Sequence, residues 1–173
     1  KIDAVMLPYF KTVAEVETFI ALLDTSKIEP VLLIETLDAV KNLEEILSVF
    51  PFKYVHIGLN DLHIERGTVS MFEPFIDGFI NHMVSIFKKY NQNFGIGGIG
   101  KIGSDLSPSP EFVLNEHLRL ESKGVILSRS FKGDFNEKKK HLFEKELLES
   151  VTDLRNYEKI AREFSRKQLE DSY

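Results

Sequence analysis

Short apolar runs alternate with stretches of helical spacing along most of this chain. The apolar runs predict five β-strands, near residues 2–7, 31–35, 53–58, 93–97 and 124–128. The stretches between them place apolar residues on one face, which predicts amphipathic helices. Strands that alternate with helices form parallel sheets joined by right-handed crossovers. The pattern therefore predicts an α/β protein whose five strands run parallel in chain order, with helices outside the sheet.

Start signals and apolar stripes give approximate bounds for the helices. Thr12 and Glu15 have the spacing of a capping box, which predicts a helix from there to about Asp24. Periodicity predicts further helices near residues 39–47, 72–90, 109–122 and 134–169. The polar stretch 62–67 and the glycine run 95–100 are instead predicted to be loops.

Length, charge and cysteine content narrow the classes of protein to which the chain can belong. Its 173 residues suffice for one sizeable core, so residues 1–173 are predicted to form a single domain. A net charge of −5 argues against nucleic-acid binding, and the apolar runs are too short to span a bilayer, so no membrane partner is expected. Zero cysteines exclude disulfides and thiolate metal sites, which leaves carboxylate and imidazole ligands and fits a cytoplasmic protein.

Two acidic residues follow neighbouring predicted strands. Glu35 comes directly after the run Val31 to Ile34, and Asp61 comes four residues after Ile57. Functional groups of parallel α/β folds gather at the carboxyl ends of the strands, and adjacent strands lie about 4.8 Å apart. The two carboxylates are therefore predicted to share one cation, and oxygen ligands with open positions suit Mg²⁺ or Mn²⁺. The alternative is that both are ordinary acids at a helix start or a turn.

Three motifs in the segment 31–62 carry a family resemblance. They are Ile34-Glu35-Thr36, the helix pattern over residues 39–46, and the stretch from Gly58 to Leu62 with sequence GLNDL. Together they resemble the HpcH/HpaI aldolase and citrate lyase β-subunit family of metal-dependent 2-oxo-acid aldolases. The resemblance is weaker over the remainder of the chain.

The resemblance implies a carbon–carbon lyase of the class II aldolase type. Such an enzyme acts on a 2-oxo acid such as pyruvate, with an aldehyde as the second small-molecule partner, through a metal-stabilised enolate. The acids that match Glu35 and Asp61 hold the metal, Mg²⁺ (or Mn²⁺), in the family. The backbone amides of Asn60 and Asp61 are then expected to bind the substrate carboxylate, and Gly58 permits that close approach.

The resemblance also implies a (β/α)₈ TIM barrel. Because such a barrel usually needs roughly 250 residues, the chain is interpreted as its C-terminal part, strands 4 to 8, with extra C-terminal helices at about 134–169. The family's general base and substrate-binding arginine come from earlier strands, so they are expected upstream of Lys1 and no catalytic residue is assigned. Terminal helices of relatives pack across subunits, which predicts a homo-oligomer.

Departures from the family pattern keep two rival functions open. The family often has Gln at the position of Leu33, and Pro and a small residue at the positions of Leu59 and Asn60. One rival is a citryl- or malyl-thioester lyase on the same scaffold. The other is a relative without catalysis that serves as a binding or assembly subunit.

None of the five histidines matches the family's general base. His63 borders the expected site and is the one histidine worth testing. His56 lies within a predicted strand and is interpreted as structural. The remaining three are expected to be exposed on helices: His82, His117 and His141.

Overall fold

Within residues 2–132 and 140–163, which this computed structural model describes, the chain forms five β-strands and eight α-helices. The strands are β1 (Ala4–Leu7), β2 (Glu29–Ile34), β3 (Val55–Ile57), β4 (Phe94–Ile99) and β5 (Gly124–Leu127). The helices are α1 (Val13–Ala21), α2 (Leu37–Lys41), α3 (Leu43–Val49), α4 (Leu59–Arg66), α5 (Glu73–Ile76), α6 (Phe79–Lys89), α7 (Pro110–Leu120) and α8 (Lys140–Ala161). A 3₁₀ turn, Arg129–Phe131, follows β5.

The strands form one sheet in the order of the chain, β1 to β5. The pairs β1–β2, β2–β3 and β3–β4 are parallel, as the alternation of strands and helices predicts. Two compact units divide the chain, residues 1–97 and 98–173, and the boundary falls within β4. The prediction of one domain over the whole chain stays a prediction.

In the first unit, alternate residues of the central strands form the core. Ile34, Ile57 and Ile96 are in register across three strands, and each is fully buried. Helix α3 packs against both α1 and α6. Helix α5 likewise packs against both α4 and α6. The intervening residues Leu33 and His56, in register with each other, occupy the opposite face of the sheet. This alternation determines which side chains lie on each face of the sheet at the carboxyl ends of the strands.

The helix start signals are confirmed, whereas two helices are interrupted. Thr12 and Glu15 make the reciprocal bonds of a capping box, and Ser109 caps α7 ahead of Pro110. The predicted helix over residues 72–90 is divided into α5 and α6, because Gly78 adopts a left-handed backbone with φ of 85°. A break at Asn42 likewise separates α2 from α3.

Two loop predictions are wrong. Residues 62–66 belong to α4, because the apolar side chains of Leu59 and Leu62 are buried within the first unit and hold the helix in place. The glycine run is part of β4 as far as Ile99. In both places a burial pattern made by distant residues overrides the local loop signal.

The prediction that the chain forms the C-terminal part of a (β/α)₈ TIM barrel requires correction. The described strands form a five-stranded sheet in chain order, which is compatible with part of a barrel, and what is shown is an α/β fold and not a TIM barrel. Strand–helix alternation determines the parallel pairing of successive strands. Closure depends additionally on strand number and stagger, which this pattern does not encode.

In the second unit, α7 packs against α8. Leu154 and Ala161 of α8 are buried, while the predicted helical residues 134–139 and 164–169 lie outside the described part of the chain. The expectation that His117 is exposed is wrong, because its ring is buried in α7 with Nδ1 at 3.0 Å from the hydroxyl of Ser122. His82 and His141 are exposed as expected.

Candidate functional site

The carboxylate of Glu35 lies at the carboxyl end of β2 and is almost fully buried, with 6% of the residue exposed. Its Oε1 accepts a hydrogen bond of 2.8 Å from the backbone amide of Tyr9. Its Oε2 lies over Gly58, where an added Cβ would stand 2.7 Å from both Oε2 and Cβ of Glu35. Any larger residue at Gly58 would therefore displace the carboxylate.

Asp61 approaches Glu35 from the first turn of α4. Its carboxyl group is close enough to Glu35 to affect the pKa of that carboxyl. Burial, and then the negative charge of Asp61, raise the pKa of Glu35, while the Tyr9 amide opposes the rise. Among the described residues, no ion pair involves either acid. Within the described part of the chain, the pair is thus two acidic groups without a cationic partner.

Local backbone geometry brings the two acids to one place. The Gly58 amide donates to the Ile34 carbonyl at 2.9 Å, so Gly58 and Glu35 leave the sheet side by side. The chain turns at once into α4, and Leu59 packs onto Gly97, whose added Cβ would stand 2.5 Å from Leu59 Cδ1. This contact seats the start of α4 on β4 and holds Asp61 above the strand ends.

The amino end of α4 supplies backbone donors beside the carboxylates. Gly58 is its N-cap and offers no side chain to bond the first amides. Asn60, on the exposed side of this turn, and Asp61 contribute two of those amides. The amide groups predicted to bind a substrate carboxylate therefore belong to a helix start that no N-cap side chain covers.

The loop between β1 and α1 fixes the position of Glu35. Tyr9 has a left-handed backbone with φ of 51°, which directs its amide to the Glu35 carboxylate. The next residue, Phe10, is buried, and its carbonyl accepts a 2.6 Å bond from the Thr36 hydroxyl. Glu65 also links this loop to the site. It accepts a hydrogen bond of 2.7 Å from the Leu37 amide and one of 3.4 Å from the Tyr9 hydroxyl.

Sequence reasoning missed Tyr9 and Glu65. Tyr9 follows Pro8 directly after a strand, which predicts a turn. The pattern does not show that the Tyr9 amide binds Glu35. Glu65 stands four residues after Asp61, the spacing that puts two side chains on one helix face. The spacing is informative only in a helix, whereas the polar composition of this stretch predicts a loop.

His56 and His63 flank the carboxylates in the chain but differ in setting. His56 is buried in β3, where burial lowers its pKa to about 4 and the Tyr54 hydroxyl lies 2.7 Å from Nδ1. It is therefore neutral at pH 7 and structural in character. His63 is partly buried in α4, and its Nδ1 makes no hydrogen bond within the described part of the chain.

The described residues contain no group of three or more His, Cys, Asp and Glu side chains arranged to hold a metal. The candidate site therefore offers two protein carboxylates.

None of the helices in residues 2–132 and 140–163 has the length and apolarity to cross a bilayer.

Comparison with known proteins yields a fold and no family. A scan against protein-family models and a search of curated proteins found no match. Among solved structures, RipC from Yersinia pestis is similar, with a TM-score of 0.57 and 16% sequence identity. The similarity covers 84% of this chain and 63% of RipC, so the chain spans under two thirds of RipC. At this identity the likeness shows the α/β fold alone, and it does not show a TIM barrel.

Proposed function

We propose that Glu35 and Asp61 bind one divalent cation, Mg²⁺ or Mn²⁺, in a carbon–carbon lyase that acts on a 2-oxo acid such as pyruvate. The observation that carries the proposal is the buried Glu35 carboxylate near Asp61, with no ion pair to either acid among the described residues. Two like charges in a site poor in water raise each other's energy. A cation between them removes that repulsion.

The donor set fits such an ion. Mg²⁺ is commonly held by one or two carboxylates and keeps several waters, which a substrate can displace. A site of two acids therefore suits a metal that also binds substrate, rather than a closed structural site. The absence of cysteine from the sequence agrees with a hard, oxygen-binding cation.

The other groups of the site have separate tasks in this proposal. The Tyr9 amide holds one oxygen of Glu35, which leaves the second oxygen for the cation. The amides of Asn60 and Asp61 bind the substrate carboxylate at the start of α4. When bound, the cation supplies Lewis-acid stabilisation of negative charge that develops on a substrate oxygen.

The choice of reaction rests on the motif resemblance in residues 31–62. The aldolase motifs coincide with the residues that form the site, which supports a 2-oxo acid and an aldehyde as partners. A thioester lyase would use the same two acids, so substrate assays separate the two. We also propose that the protein acts in the cytoplasm and as a homo-oligomer.

Replacement of Asp61 by Asn tests the metal site. The change keeps size but removes a charge and a strong oxygen donor, so Mn²⁺ affinity should fall at least tenfold, or about 1.4 kcal/mol. The measurement is calorimetric titration with Mn²⁺, alone and with oxalate. Asp38→Asn is the matched control, because Asp38 also lies in a helix first turn but is exposed and paired with Lys41. Equal affinity in the Asp61 variant and the wild type would contradict the proposed site.

The reaction is tested separately from the metal. Release of pyruvate from a 4-hydroxy-2-oxo acid should require Mg²⁺ or Mn²⁺ and should be lost in Asp61→Asn. Intact metal and oxalate binding with no cleavage of any 2-oxo acid or acyl thioester would favour a non-catalytic binding subunit.

A further inference from the structure

We propose that a cavity in the second unit binds a small organic anion with an apolar body, of the class of medium-chain monocarboxylates. The cavity lies among α7, β5 and α8 and has a volume of about 290 Å³. It is separate from the carboxylate pair, and the inference does not depend on the proposed lyase function.

The cavity has an apolar lining contributed by all three elements. The apolar lining residues are Leu114, Leu118, Val125, Leu127, Val151 and Leu154. Such a surface favours a hydrocarbon chain over water, by roughly 0.8 kcal/mol for each buried methylene. The volume lies at the small end of ligand pockets, which suits a chain of a few carbons rather than a large cofactor.

The charged lining residues carry an excess of positive charge. Lys123, Arg155 and Arg162 are cationic, and Glu158 is the one carboxylate among the described lining residues. Three cations against one anion leave two positive charges in excess, although the whole chain carries −5. The local charge is therefore opposite to that of the molecule, and it selects an anionic ligand.

Glu158 arranges the two arginines and uses only one N–H donor of each. Its Oε2 accepts a hydrogen bond of 2.6 Å from Arg155, and its Oε1 accepts one of 2.6 Å from Arg162. Burial alone would raise the pKa of Glu158, but the two guanidinium groups hold it below its usual range. Each guanidinium has five N–H donors, so donors remain for a second carboxylate.

The charged and apolar lining residues differ in their exposure to solvent. The side chains of Arg155 and Arg162 are 68% and 63% exposed, whereas that of Glu158 is 16% exposed. Leu154, by contrast, is buried. A ligand with a charged head and a hydrocarbon tail would place the head on the arginines and the tail along the leucines and valines.

Calorimetric titration of the full chain with octanoate tests the inference. Acetate has the head without the tail, and octylammonium has the tail with the opposite charge. We expect octanoate to bind at least tenfold more tightly than either. Binding of all three with equal affinity, or no octanoate binding at millimolar concentration, would overturn the inference.

Variants locate the binding to this cavity. Arg155→Gln with Arg162→Gln should weaken octanoate binding at least tenfold. Lys140→Gln with Lys145→Gln is the matched control, because it removes two positive charges from the same helix at ion pairs outside the cavity. Val151→Phe should block the tail without changing charge, which keeps the test valid if the arginine variant unfolds. Equal weakening in the lysine control, or unchanged affinity in Val151→Phe, would refute the assignment.

Discussion

At the scale of single residues, Glu35 is placed against its own electrostatic preference. Its carboxylate is buried beside Asp61, and the one bond that favours its ionised form comes from the Tyr9 amide. Protein stability alone would favour a neutral group at this position. An arrangement that costs stability is typical of a functional site, and this cost leads to a measurable dependence on pH.

Glu35→Gln should abolish that dependence. Because the folded-state pKa of Glu35 is raised above 4.5, the folded protein binds more protons than the unfolded chain between 4.5 and the raised value. The free energy of unfolding should therefore fall as pH rises through this window in the wild type, and not in the variant.

Urea unfolding between pH 4 and 8 with a chelator measures the difference. At pH 7 the Gln variant should be more stable than the wild type, because it removes the raised pKa. Added Mn²⁺ should stabilise the wild type alone. Glu17→Gln, at an exposed position of α1, is the control and should leave the pH profile unchanged. A less stable Gln variant at pH 7 would contradict the expectation.

At the scale of elements, the helices fall into two groups by the origin of their bounds. The start of α1 comes from local chemistry, since Thr12 accepts from the Glu15 amide and Glu15 accepts from the Thr12 amide. The helix α4 depends instead on burial of Leu59 and Leu62. Elements of the first kind respond to single cap substitutions, and those of the second kind respond to core substitutions.

Thr12→Ala should destabilise the protein by about 1 kcal/mol, because it leaves the first amides of α1 without their side-chain acceptor. Thermal or urea unfolding measures the loss. Thr18→Ala is the matched control: Thr18 is exposed within the same helix and bonds the Ala14 carbonyl, so its loss should change stability by less than about 0.5 kcal/mol. Equal effects of the two substitutions would show that the capping box does not contribute.

At the scale of the whole molecule, the long helix α8 exposes three large apolar side chains. Leu142, Leu148 and Ile160 are all exposed within the described part of the chain. A helix with such residues commonly packs against another subunit. This feature supports the proposed homo-oligomer without involving the carboxylate site.

Replacement of Leu142 and Leu148 by Glu should lower the mass measured by sedimentation velocity, because two charges in an apolar contact oppose association. Val69→Glu is the control, since Val69 is 97% exposed and lies in the first unit. A wild type that sediments as a monomer, or a variant with the wild-type mass, would refute the proposed association through α8.

From the sequence alone come the five strands, their order in the sheet and the position of Glu35 at the end of a strand. These features are local, because apolar periodicity and helix start signals act over a few neighbouring residues. Tertiary structure alone decided that α4 is a helix, that His117 is buried and that Tyr9 and Glu65 support the site. It also limits the shown fold to a five-stranded α/β sheet rather than a TIM barrel, since closure depends on how distant strands pair and not on any local pattern.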